Sequence, residues 1–174
     1  SELVDQVMRL NKGEYMEDVK EAKSTSFVVG VAAYPEKHRE SVDMDSDMQN
    51  LKKKVDAGAS FIITQMFFDN QVYFDFVERA RKAGITIPII PGLKIITTKR
   101  QVDILPGIFH TMIPSELYKS IDECENNSEA CEIGIKHAIS QFRGLEEYGA
   151  PCIHLFSMNN LSPITSLLKG IQRI

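Results

Sequence analysis

Gln65 sets a neutral amide between Ile62-Ile63-Thr64 and Met66-Phe67-Phe68, inside an otherwise apolar run. A buried amide without partners costs about 1 to 3 kcal/mol, and it donates and accepts at once, as recognition of a pterin or carboxamide edge requires. The competing account is a glutamine satisfied by neighbouring backbone. In Ala33-Tyr34-Pro35-Glu36-Lys37-His38, Tyr34 offers a stacking surface and His38 a polar or phosphate partner; a Pro-terminated strand with a solvated histidine fits equally well. Asp47, Asn50, Lys53 and Lys54 follow helical offsets, so they occupy neighbouring faces and would reach a sugar and phosphates from one side. A solvated charged face is the plainer account of those four. Two further clusters are Pro91-Gly92-Leu93-Lys94 and Phe156-Ser157-Met158-Asn159-Asn160. Aromatic platforms with neutral polar groups and few buried charges suit a planar conjugated ligand better than hydrolysis.

Apart from the helical group Asp47 to Lys54, these clusters share a position: each closes a segment that reads as a strand. Phe27 to Tyr34, Phe61 to Phe68, Ile87 to Leu93 and Cys152 to Met158 have the continuous apolar character of parallel strands buried on both faces. Between them, apolar residues at helical spacing form stripes: Met44, Met48, Leu51 and Val55; Val72, Phe76 and Ala80; Cys131, Ile135, Ala138, Phe142 and Leu145. Gly58, Gly84 and Gly149 stand where left-handed helix ends favour glycine, and Asp69 or Asn70, Ser128 and Ser162-Pro163 where helices start. Ser1 to Leu10 reads as a helix, and Asn11 to Ser26 as a polar connection with room for a short turn. The third crossover is long, and Pro106 and Pro114 are expected to divide it. Four βα units make either half of an eight-stranded barrel or a small doubly wound sheet, and in both, ligands bind beyond the carboxyl ends of the strands. Periodicity alone leaves the two architectures open.

The 174 residues are 43% hydrophobic and 25% charged, with a net charge of -4, the composition of one globular domain. That charge argues against a nucleic-acid surface, and no apolar run approaches the roughly 20 residues of a membrane span. No export signal is recognisable at the start, and a chain opening on Ser1 is expected to be part of a longer protein. Cys124, Cys131 and Cys152 form no CxxC pair, which fits reduced thiols in the cytoplasm. GxSxG, HExxH, Walker and GxGxxG motifs are absent, the four histidines lack ligand-like spacing, and no metal site is expected. His137 and His154 read as core or hydrogen-bonded histidines.

Taken together, Gly30-Val-Ala-Ala-Tyr-Pro-Glu-Lys-His38, Asn50-Leu-Lys-Lys-Lys-Val-Asp-Ala-Gly-Ala59, Ile63-Thr-Gln-Met-Phe-Phe-Asp69 and Ile89-Ile-Pro-Gly-Leu-Lys94 resemble, in order and spacing, the signatures of methylenetetrahydrofolate reductases. The resemblance implies the C-terminal half of a (β/α)8 barrel, with residues 1-174 as a single partial-barrel domain lacking the first four strands. It implies FAD as cofactor, NAD(P)H as reductant and methylenetetrahydrofolate as the substrate reduced to methyltetrahydrofolate. Carried over by position, Ala32, Tyr34 and His38 would contact the flavin nucleotide, and Asp47, Asn50, Lys53 and Lys54 its sugar and diphosphate. Gln65 would face the folate and nicotinamide, with Leu105, Phe156 and Met158 as further substrate contacts.

The departures are specific. Family members often carry Arg where Lys53 stands, and lysine keeps the charge without the bidentate fork. Phe156, Met158 and Asn160 replace a Tyr, a Leu or Met, and a basic residue, and Leu105 an aromatic. The family's general-acid glutamate and its flavin-side aspartate belong to the strands missing here, and neither Glu36 nor Asp69 reads as a substitute. The resemblance thus implies a chain that needs the missing barrel half, or self-association, for closure and full catalysis. The alternative is a noncatalytic flavin- or folate-binding half-barrel module.

Overall fold

In the computed structural model, which describes residues 1–15 and 22–172, strands and helices alternate. The order is α1 (Glu2–Asn11), β1 (Gly30–Ala33), α2 (Met44–Asp56), β2 (Phe61–Met66), α3 (Asn70–Lys82), β3 (Ile89–Leu93), α4 (Gln101–Phe109), α5 (Ser115–Asp122), α6 (Asn127–Tyr148), β4 (His154–Leu155) and α7 (Ser162–Ile171). All strand pairs are parallel and the sheet order is β1-β2-β3-β4. A doubly wound sheet reverses direction at a switch point; unbroken sequential order is the path of a barrel wall. The fold is therefore an α/β partial barrel of four consecutive βα units preceded by a helix.

Local chemistry sets the boundaries. The Asp43 carboxylate accepts the Ser46 N–H at 2.7 Å at the start of α2, and Asp69 accepts Gln71 N–H at 2.9 Å at the start of α3. Helix α6 begins at Asn127, one residue before the expected Ser128, because the side chain of the capping Asn126 accepts both Ser128 and Glu129 N–H. Gly149 ends α6 with φ of 89°, a left-handed conformation that glycine adopts without a Cβ penalty. Pro106 does not divide the third crossover: α4 runs through it and ends at His110, whereas Pro114 caps α5. Burial of Val102 and Leu105 holds α4 despite the missing proline N–H.

The expected strands exist but are shorter. Phe27 and Val28 stand 63% and 72% exposed ahead of β1, and the last ladder is confined to Gly92↔His154 and Leu93↔Leu155. Of the expected polar connection Asn11 to Ser26, residues 16–21 lie outside the described residues.

Burial along β2 alternates: Ile62, Thr64 and Met66 are buried, while Phe61, Ile63 and Gln65 are half-buried. The parallel register carries the alternation across the sheet, pairing Gly30 with Phe61 and Ala32 with Ile63 on one face, Ala33 with Thr64 on the other. The outer face packs Ala33, Ile62, Ile89 and Leu93 against Leu51 of α2, Tyr73 and Phe76 of α3 and Leu145 of α6. Beyond the carboxyl ends of the strands, Met66, Phe68 and Ile96 join Val102 and Leu105 of α4 and Leu117 and Ile121 of α5 in a second cluster.

Candidate functional site

The inner face of the sheet carries an open cavity of about 420 Å³. Gly30, Ala32 and Tyr34 line it from β1 and its exit, Phe61, Ile63 and Gln65 from β2, and His154 and Phe156 from β4. The Phe61 ring lies over Gly30, where even a Cβ would collide with it, while the small Ala32 keeps the wall open beside it; Tyr34 and Phe156 supply further flat apolar walls. Such a surface receives a planar ring system.

Gln65 is the polar group set into this wall. Its Oε1 accepts the Met66 N–H at 2.9 Å, so backbone satisfies one end of the amide, and no described residue holds the Nε2 end. The side chain is thereby oriented with its NH2 as the free recognition group. The backbone just beyond is fixed from α6. His137 Nε2 lies 2.9 Å from Phe68 O, Gln141 Nε2 donates to Phe67 O at 3.2 Å, and Asn70 Nδ2 donates to Gln141 O at 2.9 Å. Burial lowers the His137 pKa, which the Phe68 carbonyl and Asp69 partly offset.

Tyr34 and His38 come together as an edge-on ring pair with centroids 4.4 Å apart. Asp47 organises the loop that carries them: its carboxylate accepts His38 N–H at 2.8 Å and the Ser41 hydroxyl at 2.9 Å. Lys54 reaches back to Ala32 O at 3.4 Å. Lys53 turns away from that stripe, nearing Asn50 Oδ1 at 3.5 Å and lining an outer groove between α2 and α3 with Lys52, Arg79 and Lys82. The structure thus gathers Asp47 and Lys54 beside β1, with Asn50 and Lys53 exposed farther round the helix.

The remaining expected positions separate. Phe156 lines the cavity, packed edge-on against His154 at 4.6 Å. Leu105 is 5% exposed inside the second core cluster, and Met158 is 64% exposed beyond β4; neither lines the cavity. His154, expected to be a core or hydrogen-bonded histidine, instead is half-buried and lines the cavity; its place two residues before Phe156 in extended chain was the signal that could have found it.

Nothing local in the sequence places Glu36. Its Oε1 accepts the Met112 N–H at 2.9 Å, across the crevice between the β1 exit and the end of α4. Burial raises its pKa, the Thr111 hydroxyl and Met112 amide lower it, and the Asp69 carboxylate raises it again. The Thr111 hydroxyl is buried and makes no hydrogen bond to any described residue, although it lies close enough to the Glu36 carboxyl to favour its charged form. Lys94 is 6% exposed, donates to Ile95 O at 3.1 Å, and is held below the usual lysine pKa by desolvation. Cys124 is buried and donates to Ser120 O at 3.2 Å, Cys131 is half-buried and Cys152 exposed. Among the described residues no three His, Cys, Asp or Glu side chains gather as a metal site, and no helix is long and apolar enough to cross a membrane.

The chain is similar in sequence to known proteins. The chain is 35% identical over 143 residues to methylenetetrahydrofolate reductase (NADH) 1 of Arabidopsis thaliana, covering 76% of this chain and 24% of that protein. It is 33% identical over 155 residues to a probable methylenetetrahydrofolate reductase (NADPH) of Caenorhabditis elegans, covering 88% and 23%. Against the 5,10-methylenetetrahydrofolate reductase of Salmonella typhimurium it is 35% identical over 134 residues, covering 76% and 45%. The chain therefore spans from under a quarter to under half of these relatives. Among solved structures, an uncharacterized protein from Clostridium thermocellum that binds two copies of 5-methyl-5,6,7,8-tetrahydrofolic acid superposes with a TM-score of 0.59 at 19% identity, covering 82% of this chain and 52% of that one. The family model described as Methylenetetrahydrofolate reductase matches residues 8–172, nearly the whole chain, and the chain belongs to that family.

Proposed function

We propose that this chain is the C-terminal half-barrel of a flavin-dependent oxidoreductase that reduces 5,10-methylenetetrahydrofolate to 5-methyltetrahydrofolate with NAD(P)H. The observation that carries the reading is the inner-face cavity, where Tyr34, Phe61 and Phe156 frame Gln65 with its amide NH2 unclaimed. Residues 1–174 form one partial-barrel domain, which the missing barrel half, or a second copy, completes.

The residues present fit FAD. The small Ala32 leaves room for a planar ring beside Phe61, which itself covers Gly30, and Tyr34 and His38 stand at the carboxyl edge of the sheet. Lys54, with Asn50 and Lys53 farther round α2, offers positive charge and hydrogen-bond donors to a sugar-diphosphate tail. Asp47 acts through the loop, fixing the His38 amide and Ser41. When bound, the flavin supplies the hydride chemistry. Gln65 orients the folate and nicotinamide in turn by its amide, Phe156 packs on an aromatic ring, and the apolar wall excludes water. Leu105 and Met158 act on the substrate through the adjoining cluster and the β4 exit. The proton donor to the folate comes from the missing half, because the Glu36 carboxylate is turned to backbone. The reading places the reaction in one-carbon metabolism of the cytoplasm.

The test is Gln65→Ala in the complete enzyme. Folate turnover falls at least tenfold while flavin retention stays within about twofold; an unchanged folate rate overturns the assignment of Gln65. A noncatalytic flavin- or folate-binding module is the second reading, favoured by the lack of a free carboxylic acid in the cavity wall. It prevails if the chain, supplied with its missing half, binds both ligands and never oxidises NAD(P)H.

A further inference from the structure

We propose that Glu36 is a positioning residue that clasps the segment after α4 onto the loop carrying Tyr34 and His38, and so sets the width of the crevice beside Gln65. The crevice is closed in this structure, with no room for a water: Tyr34–Lys37 stand on one side and Phe109–His110 on the other, next to Gln65 and Met66. Glu36 crosses it: the Met112 N–H donates to Oε1 at 2.9 Å over 76 positions of sequence, and the buried Thr111 hydroxyl faces the same carboxyl. The carboxylate has no salt-bridge partner among the described residues, because the Lys37 ammonium is turned to Ser41 O. The carboxylate is therefore turned to the Met112 amide of the opposite wall, with the otherwise unpartnered Thr111 hydroxyl beside it.

The backbone on both walls needs such a tie. Lys37, next to Glu36, has φ of 85°, and His110, two residues before Met112, has φ of 53°. Side chains other than glycine disfavour that region and persist there when surrounding contacts over-determine them. The clasp also joins two roles: the loop belongs to the flavin side, while α4 ends at the crevice wall and carries Leu105 into the cluster under Met66 and Phe68. A contact of this kind holds substrate-binding geometry without touching the reacting atoms. This role rests on the proposed function; the clasp itself does not.

Hydrogen exchange read peptide by peptide on this chain separates the two. Glu36→Ala speeds exchange of the peptide containing Thr111 and Met112 by about tenfold, the loss expected for one charge-assisted hydrogen bond, and leaves β2 and β3 unchanged. Glu36→Gln keeps an oxygen acceptor and stays within about threefold of wild type. Unchanged exchange in Glu36→Ala, or an equal rise across the whole chain, overturns the clasp. In the chain joined to its missing half, Glu36→Ala raises the folate KM at least fivefold with kcat within about twofold, and Glu36→Gln restores most of the difference. A KM unmoved while local exchange rises overturns the positioning role. Absence of folate turnover in the wild-type assembly would instead sink the proposed function and leave the exchange result standing.

Discussion

Replacing Gly134 by alanine tests the packing that seats α6 against the strand exits. A Cβ built there would lie 1.9 Å from the Ile96 carbonyl oxygen and 2.9 Å from its carbon, both backbone atoms that no rotamer change moves aside. Ala130 and Ala138, one turn to either side, are 0% and 1% exposed, so the helix approaches along a face of small residues. Relief requires α6 or the 95–96 segment to shift by more than an ångström. Overpacking of this kind costs about 1 to 3 kcal/mol, and more where backbone meets backbone, against about 1 kcal/mol gained from replacing a helical glycine. We expect a net loss of about 2 kcal/mol, visible as a lower urea midpoint at unchanged slope. Gly107, also helical, meets nothing within 4 Å, and Gly107→Ala should be neutral or stabilising by up to about 1 kcal/mol. The same shift displaces His137 and Gln141 from the Phe67 and Phe68 carbonyls, so flavin retention should fall as well. If Gly134→Ala matched or exceeded wild-type stability, the close approach would be refuted.

Other expectations follow from single buried groups. Tyr73 donates to Ile89 O at 2.7 Å and burial pushes its pKa up to about 12, so a titration followed by phenolate absorbance shows one tyrosine ionising last. Because the unfolded chain ionises near 10 and the fold resists, the stability associated with Tyr73 declines as pH rises through that window; Tyr73→Phe removes the decline and costs about 1 kcal/mol at neutral pH. Lys94 has the opposite sign: its folded pKa is lowered, so the unfolded chain binds more protons between that value and the ordinary one, and stability rises with pH across the interval. Lys94→Met should flatten the alkaline side of the stability profile without loss at neutral pH; a steeper profile would contradict the desolvation argument.

The sequence made the four strands legible because each is a continuous apolar run, and β2 shows why: Phe61 to Met66 carries apolar groups to both faces, one toward the helices and one toward the cavity. Gly149 announced the end of α6, and its left-handed φ bears that out. Pro106 misled, since packing of Val102 and Leu105 outweighs the local break. Strand order, which selects the barrel over the doubly wound sheet, is a property of pairing and has no local signature. The same holds for the site. Gln65 stood out as a polar residue in an apolar strand, whereas the Glu36 to Met112 contact joins residues that nothing nearby in sequence relates. Helical spacing placed Asp47 and Lys54 on one stripe but could not tell that Asp47 is turned to the His38 loop or that Lys53 borders the outer groove.

The most direct test of the central claim is a visible absorption titration of this chain with FAD, followed by desalting, for wild type and Tyr34→Ala. The account predicts flavin bands shifted and retained by the wild-type chain and weakened at least fivefold in affinity by Tyr34→Ala. Unperturbed flavin bands at every protein concentration, or equal retention by both proteins, would contradict it.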